Sequence, residues 1–236
     1  MLKIETLQTP EPTVVSFPGI LLIKTTVGQR DPFELHIYWF AQKGNHSVLE
    51  IGLRQETGSL SSIELVAISK KHIQEIDDLV CLDAGVAALP VFERSLWPAE
   101  VFRDPAELQD GPGACPQTDE TYDWQQYEKN SRELAKIYYK EELGLDLTIG
   151  PSAASLTIGG ISTIHEVLAL ERVRLGLDGE RNLRRIDFVE ATEAELNTLR
   201  EYRRRPAGGI PPTSLLRRIP WELKRLLAKT GIRNDE

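Results

Sequence analysis

The sequence predicts an α+β protein made of two similar halves, each an antiparallel meander with a packed helix, joined by an irregular acidic segment and a long helix. Two observations predict it. The first is an internal echo: Val48-Leu49-Glu50-Ile51-Gly52-Leu53, a polar turn and Leu60-Ser61-Ser62-Ile63-Glu64-Leu65-Val66 return as Arg172-Val173-Arg174-Leu175-Gly176-Leu177, a turn and Leu183-Arg184-Arg185-Ile186-Asp187-Phe188-Val189. The second is the run of short alternating segments separated by turn residues, the pattern of consecutive antiparallel strands. Ile73 and Ile76 follow the first copy at the spacing with which Leu196 and Leu199 follow the second, so each copy reads as strand, turn, strand and helix.

Length and composition fit this reading. A chain of 236 residues with 41% hydrophobic and 27% charged residues can bury a sizeable core and is neither wholly disordered nor a coiled coil. Met1-Leu2-Lys3-Ile4-Glu5 is no basic region leading into an apolar one, and no apolar run of membrane-spanning length follows, so a cytoplasmic protein with no membrane partner is expected. The net charge of −8 opposes broad nucleic-acid affinity, because phosphate neutralisation needs a clustered positive surface.

The N-terminal half is placed at 1–98. Pro10, Pro12 and Pro18 interrupt its arm, and the β-branched stretch Gly19–Val27 reads as the first buried strand. Leu35, Ile37 and Trp39 alternate with polar neighbours as a second strand, and Gly44-Asn45 closes a hairpin into 47–54. Glu56-Thr57-Gly58 reverses the chain into 60–68. Ser69 then caps a short helix whose Ile73, Ile76 and Leu79 lie on the sheet.

Prolines and glycines between about 80 and 121 forbid long elements, apart from a short strand at Val91–Glu93. The connection is placed at 99–144 and ends in a long helix from Asp123 to Leu143. Between Ala99 and Asp123 stand seven acidic residues and one basic. The C-terminal half, 145–205, begins with strands at Leu145–Ile149 and Ser155–Ile158 and resumes near Val167. Asp178-Gly179 is its hairpin turn, and Thr192 caps a helix with Glu193 and Glu195 in its first turn. A tail at 206–236 holds a short helix opened by Pro220. From Arg200 to Glu236 there are ten basic and four acidic residues, whose simplest role is to complement a helix dipole or the acidic middle.

Chemistry is sparse. No phosphate-binding loop is present, and Gly159-Gly160 lacks the rest of a dinucleotide fingerprint. His36, His46, His72 and His165 show no metal-ligand spacing, so neither metal nor cofactor is expected. His165 reads as an edge or hairpin residue beside Glu166. Cys81, between apolar neighbours, reads as a small core residue, and Cys115 as an exposed thiol that nothing activates. Glu50 and Glu64, placed as cross-strand neighbours on the outer face of the first hairpin, read as two solvated glutamates, and Arg174 and Asp187 at the matching positions show that no catalytic pair is carried through the repeat.

The interaction candidate is the acidic segment with the aromatic residues that follow it: Asp104, Glu107, Asp110, Asp119, Glu120, Tyr122, Asp123 and Trp124. Aromatic side chains would give affinity, and carboxylates would steer a basic partner.

Leu49–Leu53 followed by Thr57-Gly58 and Leu60–Val66 resembles a strand, Thr-Gly turn and strand pattern found in several small bacterial proteins, including immunity proteins that neutralise a neighbour-killing toxin. The resemblance covers this hairpin and carries no catalytic or binding residue across. It implies a cytoplasmic, non-enzymatic protein that binds and masks a cognate toxin by occlusion, and the acidic composition suits a toxin with a basic surface. An enzyme or small-molecule binder with its site between the halves is the alternative, and a homodimer built through sheet edges is a third.

Overall fold

The computed structural model describes residues 3–18, 22–29, 34–40 as backbone, 47–54, 56–93 and 144–204. The predicted long helix, the tail and Gly44-Asn45 lie outside them.

The fold class is a correction to the sequence reading. The protein is mostly β: fourteen strands in three sheets and one α-helix are found among the described residues. A five-stranded antiparallel sheet contains β2 (Thr13–Ser16), β3 (Ile23–Val27), β6 (Leu60–Ala67), β5 (Val48–Arg54) and β4 (Glu34–Phe40), in that spatial order. The predicted strands around Ile37, Ile51 and Ile63 are all present in it. Ile23, Leu49, Ile51, Ile63 and Leu65 are fully buried on its core face.

A seven-stranded sheet runs in the order β7 (Ile73–Glu75), β10 (Leu145–Ile149), β11 (Ala154–Ile158), β14 (Leu183–Phe188), β13 (Val173–Leu177), β12 (Glu166–Leu170) and β8 (Val86–Ala87). Both edge strands come from the N-terminal part of the chain and pair in parallel, β7 with β10 and β8 with β12. The two parts therefore interlock, and their apolar residues form one continuous core.

The segment after β6 shows why the first predicted helix fails. Ser69 is extended (φ −62°, ψ 130°) and makes no side-chain cap; its N–H donates instead to Ser47 Oγ at 2.9 Å. One 3-10 turn at Lys70–His72 leads into β7, where Ile73 is buried opposite Leu147. The apolar spacing of Ile73 and Ile76 also suits a strand followed by a bend, and pairing with β10 decides between the two. In the second copy the helix forms as expected. In α1 (Glu193–Arg204) the Glu195 N–H donates to Thr192 Oγ1 at 3.3 Å and the Thr192 N–H to Glu195 Oε2 at 2.8 Å, a reciprocal capping box. Leu196 and Leu199 enter the core.

The repeat holds to the level of register. Glu50 opposes Glu64 and Arg174 opposes Asp187, and each hairpin is bulged just after its glycine, between Gly52 and Leu53 and between Gly176 and Leu177. A two-stranded sheet of β1 (Ile4–Gln8) and β9 (Leu89–Phe92) joins the two hairpin turns. Lys3 bridges to Asn182 and the Ile4 N–H reaches Arg181 O at one end; Val91 bridges to Ser59 and the Phe92 N–H reaches Gly58 O at the other. No helix among the described residues is long and apolar enough to cross a membrane.

Candidate interaction surface

The seven-stranded sheet begins and ends with strands that are close in sequence, so the chain between them, residues 76–85, has to cross the sheet from one edge to the other. It does so as an irregular strap on the face away from the core. Its path is fixed by contacts with successive strands. The Ile76 N–H donates to Ile149 O at 3.0 Å at the end of β10. Arg185 of β14 donates to Val80 O at 2.6 Å, and the Leu82 N–H donates to the Asp187 carboxylate, also on β14, at 2.6 Å.

Glycines supply the floor. A Cβ on Gly176 of β13 would stand 2.9 Å from Leu82 Cδ1 and 3.1 Å from Ile164 Cδ1, and one on Gly150 would stand 2.7 Å from Leu79 Cβ. On the strap itself, a Cβ on Gly85 would fall 2.0 Å from Val167 O of β12. At Gly85 the backbone of β12 leaves no room for a side chain, while at Gly150 and Gly176 strap or loop side chains fill the space a Cβ would take.

Electrostatics hold the middle. Asp187 is fully buried and is satisfied by the Leu82 N–H and by Arg185 Nε at 2.7 Å, while Arg185 also donates to Ser155 Oγ at 2.9 Å. A buried carboxylate persists only where donors replace its lost hydration, and this one has a cation and a backbone amide. Cys81 lies between the two anchored residues. It is free and half-buried on the strap, a correction to its reading as a core residue. Burial pushes its thiol pKa up, and the Asp187 carboxylate adds to the rise while Arg185 opposes it.

Anchored in this way, the strap turns apolar side chains outward. The large hydrophobic residues exposed among the described ones are Val14, Ile76, Val80, Val86 and Ile161, and four of these five lie on the strap, on β8 directly after it, or on the loop beside Leu82. Val80 is 79% exposed and Ile161 fully so. Asp77, Asp78 and Asp83, all exposed, alternate with them along the chain. Exposed apolar side chains interspersed with carboxylates along one anchored segment are the composition of a protein-binding surface.

The eight predicted partner-binding residues, Asp104, Glu107, Asp110, Asp119, Glu120, Tyr122, Asp123 and Trp124, lie outside the described residues, as does Cys115. Glu50 and Glu64 are direct cross-strand partners, as the register predicted, but they are not solvated: Glu50 is 8% exposed and Glu64 is ion-paired with Lys24 of β3. His165 is exposed just before β12, and Glu166 bonds Arg181 at 2.9 Å. His72 Nδ1 lies 2.7 Å from Asp146, tying the 3-10 turn to β10. Among the described residues no cluster of three or more His, Cys, Asp or Glu side chains is arranged to hold a metal ion.

The strap escaped the sequence reading because Ile73, Ile76 and Leu79 mimic a helix face. Leu82 and Val86 even prolong that spacing, so local periodicity held no signal against a helix. No protein-family model and no curated protein matches the chain.

Proposed function

We propose that this is a cytoplasmic, non-enzymatic binding protein that recognises another protein through the strap face. The single observation that carries the reading is the concentration of exposed large hydrophobic residues there: Ile76, Val80, Val86 and Ile161 stand out on or beside a segment that internal anchors hold in place. A prearranged surface binds with less loss of conformational entropy than a mobile one, and its apolar area gains most when a partner excludes water from it.

Toxin masking is the most concrete form of this function. It rests on the resemblance of the Leu49–Val66 hairpin to immunity proteins, which act by occluding a toxin. Expression of the adjacent gene's product with and without this protein tests it. Lethality alone, rescue on co-expression and recovery of a one-to-one complex support the reading. An innocuous neighbour that never associates with the protein removes it.

A further inference from the structure

We infer that the strap face takes a basic protein surface with an apolar centre, and not a second copy of this chain, an inference that rests on the binding reading above. Ile76–Ala87 contains three aspartates and no lysine or arginine, and Asp77, Asp78 and Asp83 are all exposed. Of the cations beneath the strap, Arg185 is committed to Asp187, Ser155 and Val80 O, and Arg174 on β13 donates to the carbonyls of Glu171 and Val173. Among the described residues Asp77, Asp78 and Asp83 make no ion pair, so the strap itself carries negative charge on both sides of Val80.

Symmetry decides against self-association. A two-fold dimer brings the same patch of both copies together, so the aspartates of one strap would meet those of the other, and like charges desolvated together oppose binding. The chain's net charge of −8 adds repulsion at longer range. Anionic lipid surfaces and nucleic-acid phosphates meet the same obstacle. A basic protein surface relieves it, with its cations over Asp77, Asp78 and Asp83 and its apolar residues over Val80 and Ile161.

The test uses the adjacent gene's product as probe and the intact protein, with affinity measured by calorimetry at low and physiological ionic strength. Two variants are compared, Asp77→Lys/Asp78→Lys/Asp83→Lys and Val80→Asp/Ile161→Asp. Every altered side chain is outside the core, and circular dichroism verifies folding. The expected result is a loss of about tenfold or more for the charge-reversed variant, together with loss of the wild type's salt dependence. The apolar variant should also bind weakly. If charge reversal changes neither affinity nor salt dependence while the apolar variant fails to bind, the basic-partner inference is overturned and the binding reading survives. If neither variant differs from wild type, or the probe does not bind, both fall. Sedimentation of the protein alone gives the other decisive result: a concentration-dependent dimer dissolved by Val80→Asp would make a second copy the occupant.

Discussion

The Asp187 carboxylate accepts the Leu82 N–H at 2.6 Å, joining residues 105 positions apart and pinning an irregular strap to the outer face of a sheet. The same hairpin position in the first copy holds Glu64, paired with Lys24 of the neighbouring strand. Both copies thus keep a carboxylate in an ion pair at this register position. Among the described residues only the second grips a crossing segment.

Asp187→Ala should therefore do more than delete a hydrogen bond. It leaves Arg185 without its carboxylate and the Leu82 N–H without its acceptor in a water-poor place, a loss of about 3–5 kcal/mol for a broken buried pair. Urea denaturation measures the global cost, and amide exchange at Val80–Ala84 should show faster opening of the strap than of β13. Equal protection of the strap in both proteins would show that Asp187 does not hold it.

Cys81 offers an independent probe of the same contact. Burial and the negative charge of Asp187 both disfavour its thiolate, so alkylation at neutral pH should be slower than for a free thiol and should rise at higher pH than usual. Asp187→Asn removes the charge and roughly keeps the shape. The pH–rate profile should then move to lower pH. An unmoved profile would mean that the carboxylate has no electrostatic hold on the thiol.

The glycine floor makes a graded prediction. Gly85→Ala drives a Cβ into the Val167 carbonyl, which belongs to a paired strand and cannot step aside, so a cost of about 1–3 kcal/mol or more is expected. Gly176→Ala meets the far ends of Leu82 and Ile164, which can rotate away, and should cost less. Gly144→Ala meets nothing within 4 Å and should stay within about 0.5 kcal/mol of wild type. Thermal melts of the three variants check the order.

What could be read from the sequence was local. The alternation around Ile51 and Ile63, the Asp178-Gly179 turn and the Thr192 cap with Glu195 are short-range patterns, and each appears in the structure as expected. The echo between the hairpins proved accurate down to their shared bulge. What was missed depended on distant partners. Ile73–Glu75 becomes a strand because β10 lies beside it, 74 residues later in sequence for the pair Gln74 and Thr148. The strap owes its path to Gly85, Gly150, Gly176 and Asp187, no two of which are neighbours in sequence. The proline-interrupted N-terminal arm contains a strand at Ile4–Gln8 that has no signal of its own, and with β9 it clasps the two hairpin turns. Local periodicity carries no information about such pairings.

The turn at Asp178 gives the last prediction, and its sign follows from the contacts. Burial works against the charged carboxylate, but donors from Arg184 Nε at 2.7 Å, the Asn182 N–H at 2.9 Å, Asn182 Nδ2 at 3.0 Å and the Glu180 N–H at 3.0 Å outweigh it and hold its pKa at about 2. A carboxylate whose folded pKa lies below its unfolded value of about 3.9 stabilises the fold above that unfolded value, and the contribution is lost as the pH falls towards 2. Asp178→Asn should cost about 1–3 kcal/mol above pH 5, because a neutral amide replaces a charged acceptor of several donors. Below pH 4 its stability should converge on that of wild type, which loses the same interaction by protonation. Urea midpoints from pH 6 to about pH 2 measure both curves. A constant gap across that range would assign the cost to altered packing of the turn. Because Asn182 also bridges to Lys3 ahead of β1, the same variant should loosen the N-terminal strand, visible as faster amide exchange at Ile4, whose N–H is held by Arg181 O.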